Sequence, residues 1–268
     1  MGGMNNQPLS GKTIVIIGGT GGIGLSAAKA CTRAGANLVL VGRSAEKAAA
    51  AQEVIGDRVA VHIGDAMQSE TAERAIALAI EKFGRLDGLY HVAGGSGRKH
   101  GDGPLDQITD EGWRFTLDFN LSSLFYSNRA AVRQFLSQAG GGSILNVGSV
   151  LDHSPAPRHF ATHTYATTKA ATVGMTKTSA AYYAAKNIRF NVLAPALVAT
   201  PLAGRAMNDE SIMAYIATKQ PLDGGRIGSP EDLDAAVVYF LSDQSKFVTG
   251  QVLYIDGGWK HSEGQHAT

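Results

Sequence analysis

Tyr165 and Lys169 stand four residues apart in a segment of helical periodicity, so both side chains project from one face of a helix. A free phenol titrates at about 10, and an ammonium one turn away favours the phenolate and lowers that value. The pair would then serve as a general acid and base near neutral pH. Ser149 follows a short apolar run, where its hydroxyl could hold a carbonyl oxygen, and Asn120 precedes a long helical segment. Each also has a plainer reading. Tyr-x-x-x-Lys pairs are common on helix surfaces, a Ser at a strand end is usually a turn former, and an Asn before a helix is usually its N-cap.

A second group of residues could bind a dinucleotide. The first apolar run leads directly into Gly18-Gly19-Thr20-Gly21-Gly22-Ile23-Gly24. Glycines between a strand and a helix let the backbone turn sharply and bring free amides and the helix N-terminus to a pyrophosphate. Gly18, Gly22 and Gly24 are spaced G-x-x-x-G-x-G, not the commoner G-x-G-x-x-G, and a merely tight connection could have the same composition. The second run ends in Val41-Gly42-Arg43-Ser44. An acid there would bond the adenosine ribose of NAD, whereas Arg pairs with the 2′-phosphate of NADP. With Gly42 at the acid's place and Arg43 beside it, NADP(H) is expected. NAD(H) stays open, because Arg43 could instead begin a solvated helix or stack on adenine.

These residues need a frame. Runs rich in Val, Ile and Leu predict strands at 13–17, 37–41, 59–63, 88–92, 143–147, 188–193 and 252–255, and helical periodicity predicts helices at 22–34, 45–55, 69–83, 121–138, 165–185 and 231–241. The βαβα alternation and the continuously apolar strands predict an α/β, doubly wound Rossmann fold: a seven-stranded, mainly parallel sheet with helices on both faces. No linker or repeat divides the 268 residues, so one domain over 1–268 is expected. Residues 1–10 read as a flexible leader without the apolar stretch of a signal peptide. No apolar run approaches the roughly 20 residues of a membrane span, and a cytoplasmic protein is expected. Lys and Arg number 24 against 23 Asp and Glu, a balance unlike that of a nucleic-acid-binding chain. The single cysteine, Cys31, excludes an internal disulfide and reads as a buried structural thiol.

Taken in order, the motifs resemble those of the short-chain dehydrogenase/reductase family from Lys12 to about Trp259. They are the Gly18/Gly22/Gly24 turn, Asp65, Ala93-Gly94, Asn120, Ser149, Tyr165/Lys169, Asn191 with Pro195 and Thr200, and the closing Thr249-Gly250 with Asp256-Gly257-Gly258. The resemblance implies an oxidoreductase for a secondary alcohol or ketone. Tyr165 would exchange the proton while hydride moves between nicotinamide and substrate carbon. Lys169 would hold the nicotinamide ribose and lower the tyrosine's pKa, Ser149 would orient the carbonyl, and Asn120 would fix a water in a proton relay. Gly18, Thr20, Gly22, Ile23 and Gly24 would cradle the cofactor, with Arg43 and Ser44 at its adenosine end. Asp65 and Ala66 would contact adenine, Ala93 and Gly94 would line the ribose, and Pro195, Val198 and Thr200 would lie at the carboxamide. A homo-oligomer, tetramer or dimer, is implied, with helices 121–138 and 165–185 pairing between subunits. Two rivals are a non-catalytic dinucleotide-binding sensor or partner subunit, and a nucleotide-sugar dehydratase or epimerase; the short C-terminal part leaves little room for the latter's substrate domain.

Three departures from the family pattern predict altered packing. Ile17 replaces a Thr before the turn, His91-Val92 replaces two asparagines that tie the central strand to its neighbours, and Ala196 replaces the Gly after Pro195. Segment 150–164 is longer than usual and carries His153, His159 and His163. The last two are at helical spacing but lack a third metal ligand, so no metal is expected. His153, Arg158 or His159 could instead bind a polar substrate. Arg98, Lys99 and His100 would make a cation-rich wall suited to an anionic or hydroxylated one. Residues 195–228 read as a substrate lid, with Met207, Ile212, Met213, Tyr215 and Ile216 on a short amphipathic helix. The tail, 261–268, is polar and unpatterned.

Overall fold

In the computed structural model, which describes residues 7–265, β1 (Thr13–Ile17) is buried along its whole length. Ile14 and Ile16 enter one hydrophobic cluster and Val15 and Ile17 another, as the two-residue repeat of a strand requires when both sheet faces are covered. After β1 come α1 (Gly22–Arg33), β2 (Asn37–Gly42), α2 (Ala45–Ile55), β3 (Val59–Ile63), α3 (Ser69–Phe83) and β4 (Gly88–His91). The chain continues through α4 (Asp110–Leu117), α5 (Ser123–Gln138), β5 (Gly142–Val147), α6 (His163–Tyr183), β6 (Ile188–Pro195), α7 (Gly204–Met207), α8 (Glu210–Lys219), α9 (Asp234–Leu241) and β7 (Val252–Ile255).

The strands form one sheet in the order β3-β2-β1-β4-β5-β6-β7. Every pairing is parallel, with Val15 opposite both Val39 and Leu89. The sheet is therefore wholly and not mainly parallel. Helices α1 and α9 cover one face through Ala27, Cys31, Val237 and Phe240. Helices α3 and α5 cover the other through Ala75, Ile76, Ala79, Ala131 and Phe135, joined by Ala180 of α6. Strand order reverses between β1 and β4, and at such a switch the loops leaving the carboxyl ends diverge and open a crevice. Cys31 is a free, fully buried thiol whose pKa burial pushes up to about 12, which makes it inert.

Several predicted boundaries move. The predicted helix 121–138 is the second half of a longer one. It starts at Asp110 with Thr109 as N-cap, accepting from the Gly112 amide at 3.0 Å, and passes through a π-turn over Asp118–Ser122. Asn120 lies inside that turn and does not cap a helix. Of the predicted leader, residues 1–6 lie outside the described residues, and Leu9 is not flexible: it is fully buried, and its amide bonds the Ala34 carbonyl at 2.9 Å. It packs in the same cluster as Ile14 and Leu38. The predicted helix 231–241 divides into a 3₁₀ turn, Pro230–Leu233, and α9. Among the described residues no helix is long and apolar enough to cross a membrane.

Because Leu9 is a core residue, truncating it should leave a cavity. Leu9→Ala is expected to lower the unfolding free energy by about 2–5 kcal/mol, read as the urea midpoint at constant m-value, whereas a flexible leader would give no shift.

Candidate active site

Gly18 takes φ +88° and Gly22 φ +50°, the left-handed region that glycine enters without a Cβ penalty. A Cβ on Gly18 would lie 2.8 Å from the Ala93 amide nitrogen. Gly24 presses on the same turn, where a Cβ would lie 2.1 Å from the Gly18 carbonyl oxygen. The turn that Ile17 was expected to weaken is held by the main chain, since the Gly18 and Gly19 amides both donate to the Val41 carbonyl at 3.0 Å.

A cleft of about 590 Å³ opens over this turn and along the carboxyl ends of the strands. Of the predicted cofactor residues, Gly18, Thr20, Gly22, Ile23, Arg43, Ser44, Asp65, Ala66, Ala93 and Gly94 line its first half. Tyr165, Lys169, Pro195, Val198 and Thr200 line the second. Gly24 is not at the surface of the cleft, and its part is packing beneath it. At Gly42 a Cβ would lie 2.1 Å from the Thr20 hydroxyl, so Thr20 fills the space an acidic side chain would enter. Lys47, in the first turn of α2, also lines the cleft. Ser44 caps α2 by accepting from the Lys47 amide at 3.3 Å. Lys47 escaped the sequence reading because it has the ordinary pattern of a solvated helix. A long cleft floored by side-chain-free backbone and flanked by cations at one end fits a nicotinamide dinucleotide.

Ser149 and Tyr165 meet at the other end. Ser149 lies two residues beyond β5, is buried, and hydrogen-bonds the Tyr165 phenol in the sense that favours the phenolate. Burial is the larger influence and raises the phenol's pKa. The expected dominance of the ammonium is therefore corrected. Lys169 lies on the same face, with Nζ 5.5 Å from the ring centre, but it donates to the Val147 carbonyl at 2.8 Å. Its hydrogen bond goes to a strand end. Burial also pulls Lys169 down to about 8.

Asn120 does not line the cleft, although it stands just behind it. Its Oδ1 accepts from the Gly95 amide at 2.9 Å, and its Nδ2 donates to the carbonyls of Gly95 and Thr116 at 3.0 and 2.9 Å. A Cβ on Gly94 would lie 2.7 Å from that Oδ1 and 3.7 Å from Lys169 Nζ. π-Turns often mark functional sites, and this one delivers the Asn120 amide to the loop after β4.

Two positioning groups were missed. Asp102 is buried and accepts the Thr164 and Tyr165 amides at 3.0 Å each, so a carboxylate caps the N-terminus of the helix that carries the tyrosine, where negative charge is favoured. Its distance in sequence from Tyr165 hid it. The second is the pair Asn128 and Asn146, whose amides exchange two 3.0 Å bonds while Asn146 also reaches Thr176 at 3.1 Å. They tie α5, β5 and α6 together. His91, expected to remove such ties, makes its own. Its Nδ1 lies 2.8 Å from Ser127 Oγ, which itself donates to the Leu124 carbonyl, and burial with the charge of Lys169 presses its pKa down to about 3. The ring is therefore neutral. Ala196 needs no special backbone: among the described residues the non-glycine positions with positive φ are Ala139, Asn187 and Asp223.

The cation-rich wall is reduced to one member, since of Arg98, Lys99 and His100 only Arg98 lines the cleft. His100 stacks on Phe115 at 3.6 Å. Segment 150–164 joins the lid in a third hydrophobic cluster that includes Val150, Ala156, Ile212, Tyr215, Ile216 and Trp259. Trp259 Nε1 donates to the Ser154 carbonyl at 3.0 Å. The expected amphipathic lid helix is α8, with Ile212, Tyr215 and Ile216 inward; Met207 lies before it and is exposed. Tail residues 261–265 lie against α8. Lys219 Nζ donates to the Ser262 carbonyl, and Ser262 Oγ donates to the Thr218 carbonyl at 2.7 Å. Residues 266–268 are outside the described residues. Among the described residues no three His, Cys, Asp or Glu side chains are grouped to hold a metal ion.

A family model described as enoyl-(acyl carrier protein) reductase matches residues 18–260. A 2,5-dichloro-2,5-cyclohexadiene-1,4-diol dehydrogenase of Sphingobium indicum is 33% identical over 252 residues, covering 94% of this chain and 98% of the relative. The 3beta-hydroxysteroid dehydrogenase 1 of Eggerthella lenta is 35% identical over 255 residues, 93% of this chain and 94% of that one. Among solved structures, a short-chain type dehydrogenase/reductase from Mycobacterium ulcerans superposes with a TM-score of 0.87 at 30% identity, covering 96% of this chain and 92% of the other.

Lys169 gives a prediction about stability and pH. Its pKa is lower in the folded chain, about 8, than its ordinary 10.5, so between those values the unfolded chain binds more protons and stability rises with pH. Wild type is expected to gain stability from pH 8 towards 10 relative to Lys169→Met, measured by urea unfolding. Parallel profiles for the two proteins would show that Lys169 is not desolvated.

Proposed function

The chain belongs to the short-chain dehydrogenase/reductase family of oxidoreductases, and from that premise we propose that it interconverts a secondary alcohol and its ketone with NADP(H). One observation carries this reading: Ser149, Tyr165 and Lys169, from the end of β5 and one face of α6, converge on the cleft that opens over the glycine turn. Bound there, the nicotinamide supplies or accepts the hydride at the substrate carbon. Ser149 holds the substrate oxygen. Tyr165 donates its proton to that oxygen in reduction and takes it back in oxidation, so charge does not accumulate on the alkoxide. Lys169 keeps a positive charge beside the phenol and offers donors to a ribose. Asn120, through Gly95, fixes the loop facing Lys169, and it stands where a water relay to that ammonium would pass.

The preference for NADP(H) is supported at the opposite end. Arg43 and Lys47 supply two positive charges and Ser44 a hydroxyl for a 2′-phosphate, while Thr20 occupies the place of the acid that would bond a free ribose. Asp65 and Ala66 take the adenine. Ala93 and Gly94 take the ribose, and Pro195, Val198 and Thr200 the carboxamide. The names of both curated relatives place the reacting hydroxyl on a ring, and the apolar wall of Leu151, Phe160, Leu197 and Trp259 suits a ring-shaped body. Residues 195–228 act as the lid of a single unit, 1–268. Exposed Phe125 and Leu136 on α5 and Tyr182 on α6 support a homo-oligomer, a tetramer, joined through those helices, and a cytoplasmic location accords with the lone, buried cysteine.

Tyr165→Phe should retain NADPH binding while turnover falls by about 10²–10⁴-fold, read as absorbance of reduced nicotinamide over a panel of cyclic ketones. Unchanged turnover would sink the assignment of Tyr165 as the proton donor. Titration of intrinsic fluorescence should give tighter binding of NADPH than of NADH, and Arg43→Asp should abolish that difference. Equal affinities in the wild type would remove the NADP(H) preference.

A further inference from the structure

Two arginines from separate segments line the cleft. Arg98 comes from the loop after β4 and Arg205 from α7 in the lid, and both line the same space as Ser149 and Tyr165. They are close enough that the charge of Arg205, together with burial, lowers the pKa of Arg98. Among the described residues neither forms an ion pair with a carboxylate. The acids nearest them hydrogen-bond to backbone amides and form no ion pair with either arginine. Asp102, which attracts Arg98, spends both oxygens on the Thr164 and Tyr165 amides, and Asp209, near Arg205, caps α8 through Ser211 and Ile212. Arg205 is held in place, donating to the His159 carbonyl at 3.0 Å and lying 5.8 Å from the Phe160 ring centre. Two like charges brought within reach of one another at the mouth of a cleft, with no carboxylate paired to either, draw an anion between them.

The cofactor does not supply that anion. Its 2′-phosphate is assigned to Arg43, which follows β2, whereas Arg205 follows β6 in the other half of the sheet. We propose that Arg98 and Arg205 form an anion subsite that takes the carboxylate of a ring-bearing keto or hydroxy acid, with the reacting carbon held at Ser149 and Tyr165. A carboxylate fits better than a phosphate because each planar fork offers bidentate recognition, and one donor of Arg205 is already used by His159. The surrounding wall, Leu151, Phe160 and Leu197, offers little else to a phosphate's remaining oxygens. The carboxylate is a spectator: the ketone carbon gains hydride, the oxygen gains the proton of Tyr165, and the dihydronicotinamide is oxidised. The subsite deepens the oxidoreductase reading and rests on it for the identity of the reacting group.

The test uses the protein loaded with NADP⁺ and three probes: 4-oxocyclohexanecarboxylate, its neutral isostere 4-oxocyclohexanecarboxamide, and cyclohexyl phosphate. By calorimetry the carboxylate should bind at least about tenfold tighter than the amide, as charge-assisted bonds require. The double variant Arg98→Gln/Arg205→Gln should bring the two within about twofold, with its NADP⁺ affinity and thermal midpoint reporting that it is folded. Equal binding of carboxylate and amide by the wild type, including measurable binding of neither, overturns the subsite, as does a ratio that the double variant leaves unmoved. Tighter binding of the phosphate ester than of the carboxylate overturns the choice of head group. NADPH oxidation by the same two ketones separates the two readings. Turnover of both with equal kcat/KM sinks the subsite and leaves the reductase, while carboxylate-selective binding without turnover of either sinks the reductase and leaves the subsite.

Discussion

A lysine ammonium drawn out of water at the end of a strand is the constraint around which this site is organised. Lys169 is almost wholly buried, and its Nζ donates to the carbonyl of Val147. Burying a charge this way is unfavourable unless the surroundings are rigid enough to keep the partner in place. The surroundings are rigid. Asp102 holds the first turn of α6, Asn146 and Thr176 bind its middle to β5 and α5, and Asn120 fixes the backbone of Gly95 across from it. His91 adds a neutral ring beside the ammonium where a second cation would be repelled. The tyrosine inherits its position from this arrangement, since it leaves the same helix one turn earlier.

Much of this was legible in the sequence because the relevant signals are local. The glycine turn, the Tyr165 and Lys169 spacing and the alternation of strands and helices each depend on residues close in the chain, and they lie where those patterns place them. What was hidden depends on distance or on polarity. Helix α4 buries Gly112 and Thr116 and shows no apolar stripe to find. The π-turn at Asn120 leaves the helical period almost unchanged and cannot be told from an N-cap by composition. Asp102 looks like any loop acid until the fold brings it to the amides of Thr164 and Tyr165. The phenol's environment was misjudged for a related reason: sequence spacing reports that two groups share a face, but not how much water each has lost nor which way a long side chain turns.

The substrate wall is built differently from the cofactor floor. The floor is backbone, set by glycines whose replacement would collide with neighbouring main chain. The wall is a separate apolar cluster in which segment 150–164, the lid and Trp259 pack on one another. Two of its three histidines are absorbed into aromatic contacts, His153 with Tyr254 and His159 with Tyr215. A wall held by side chains tolerates exchange of those side chains more readily than a floor held by main chain. Family resemblance is accordingly informative about the nucleotide and less so about what is bound opposite.

The wall also draws on the end of the chain. β7 pairs only with β6, Trp259 completes the third cluster, and residues around Ser262 bind α8. The strands beside the glycine turn, β1, β2 and β4, by contrast find all their strand partners before residue 148. Synthesis proceeds from the N-terminus, so a nascent polypeptide can pair the strands of its nucleotide floor before α9 covers them and before the opposite wall has left the ribosome. Emergence of Trp259 and the residues around Ser262 is then what finishes the pocket.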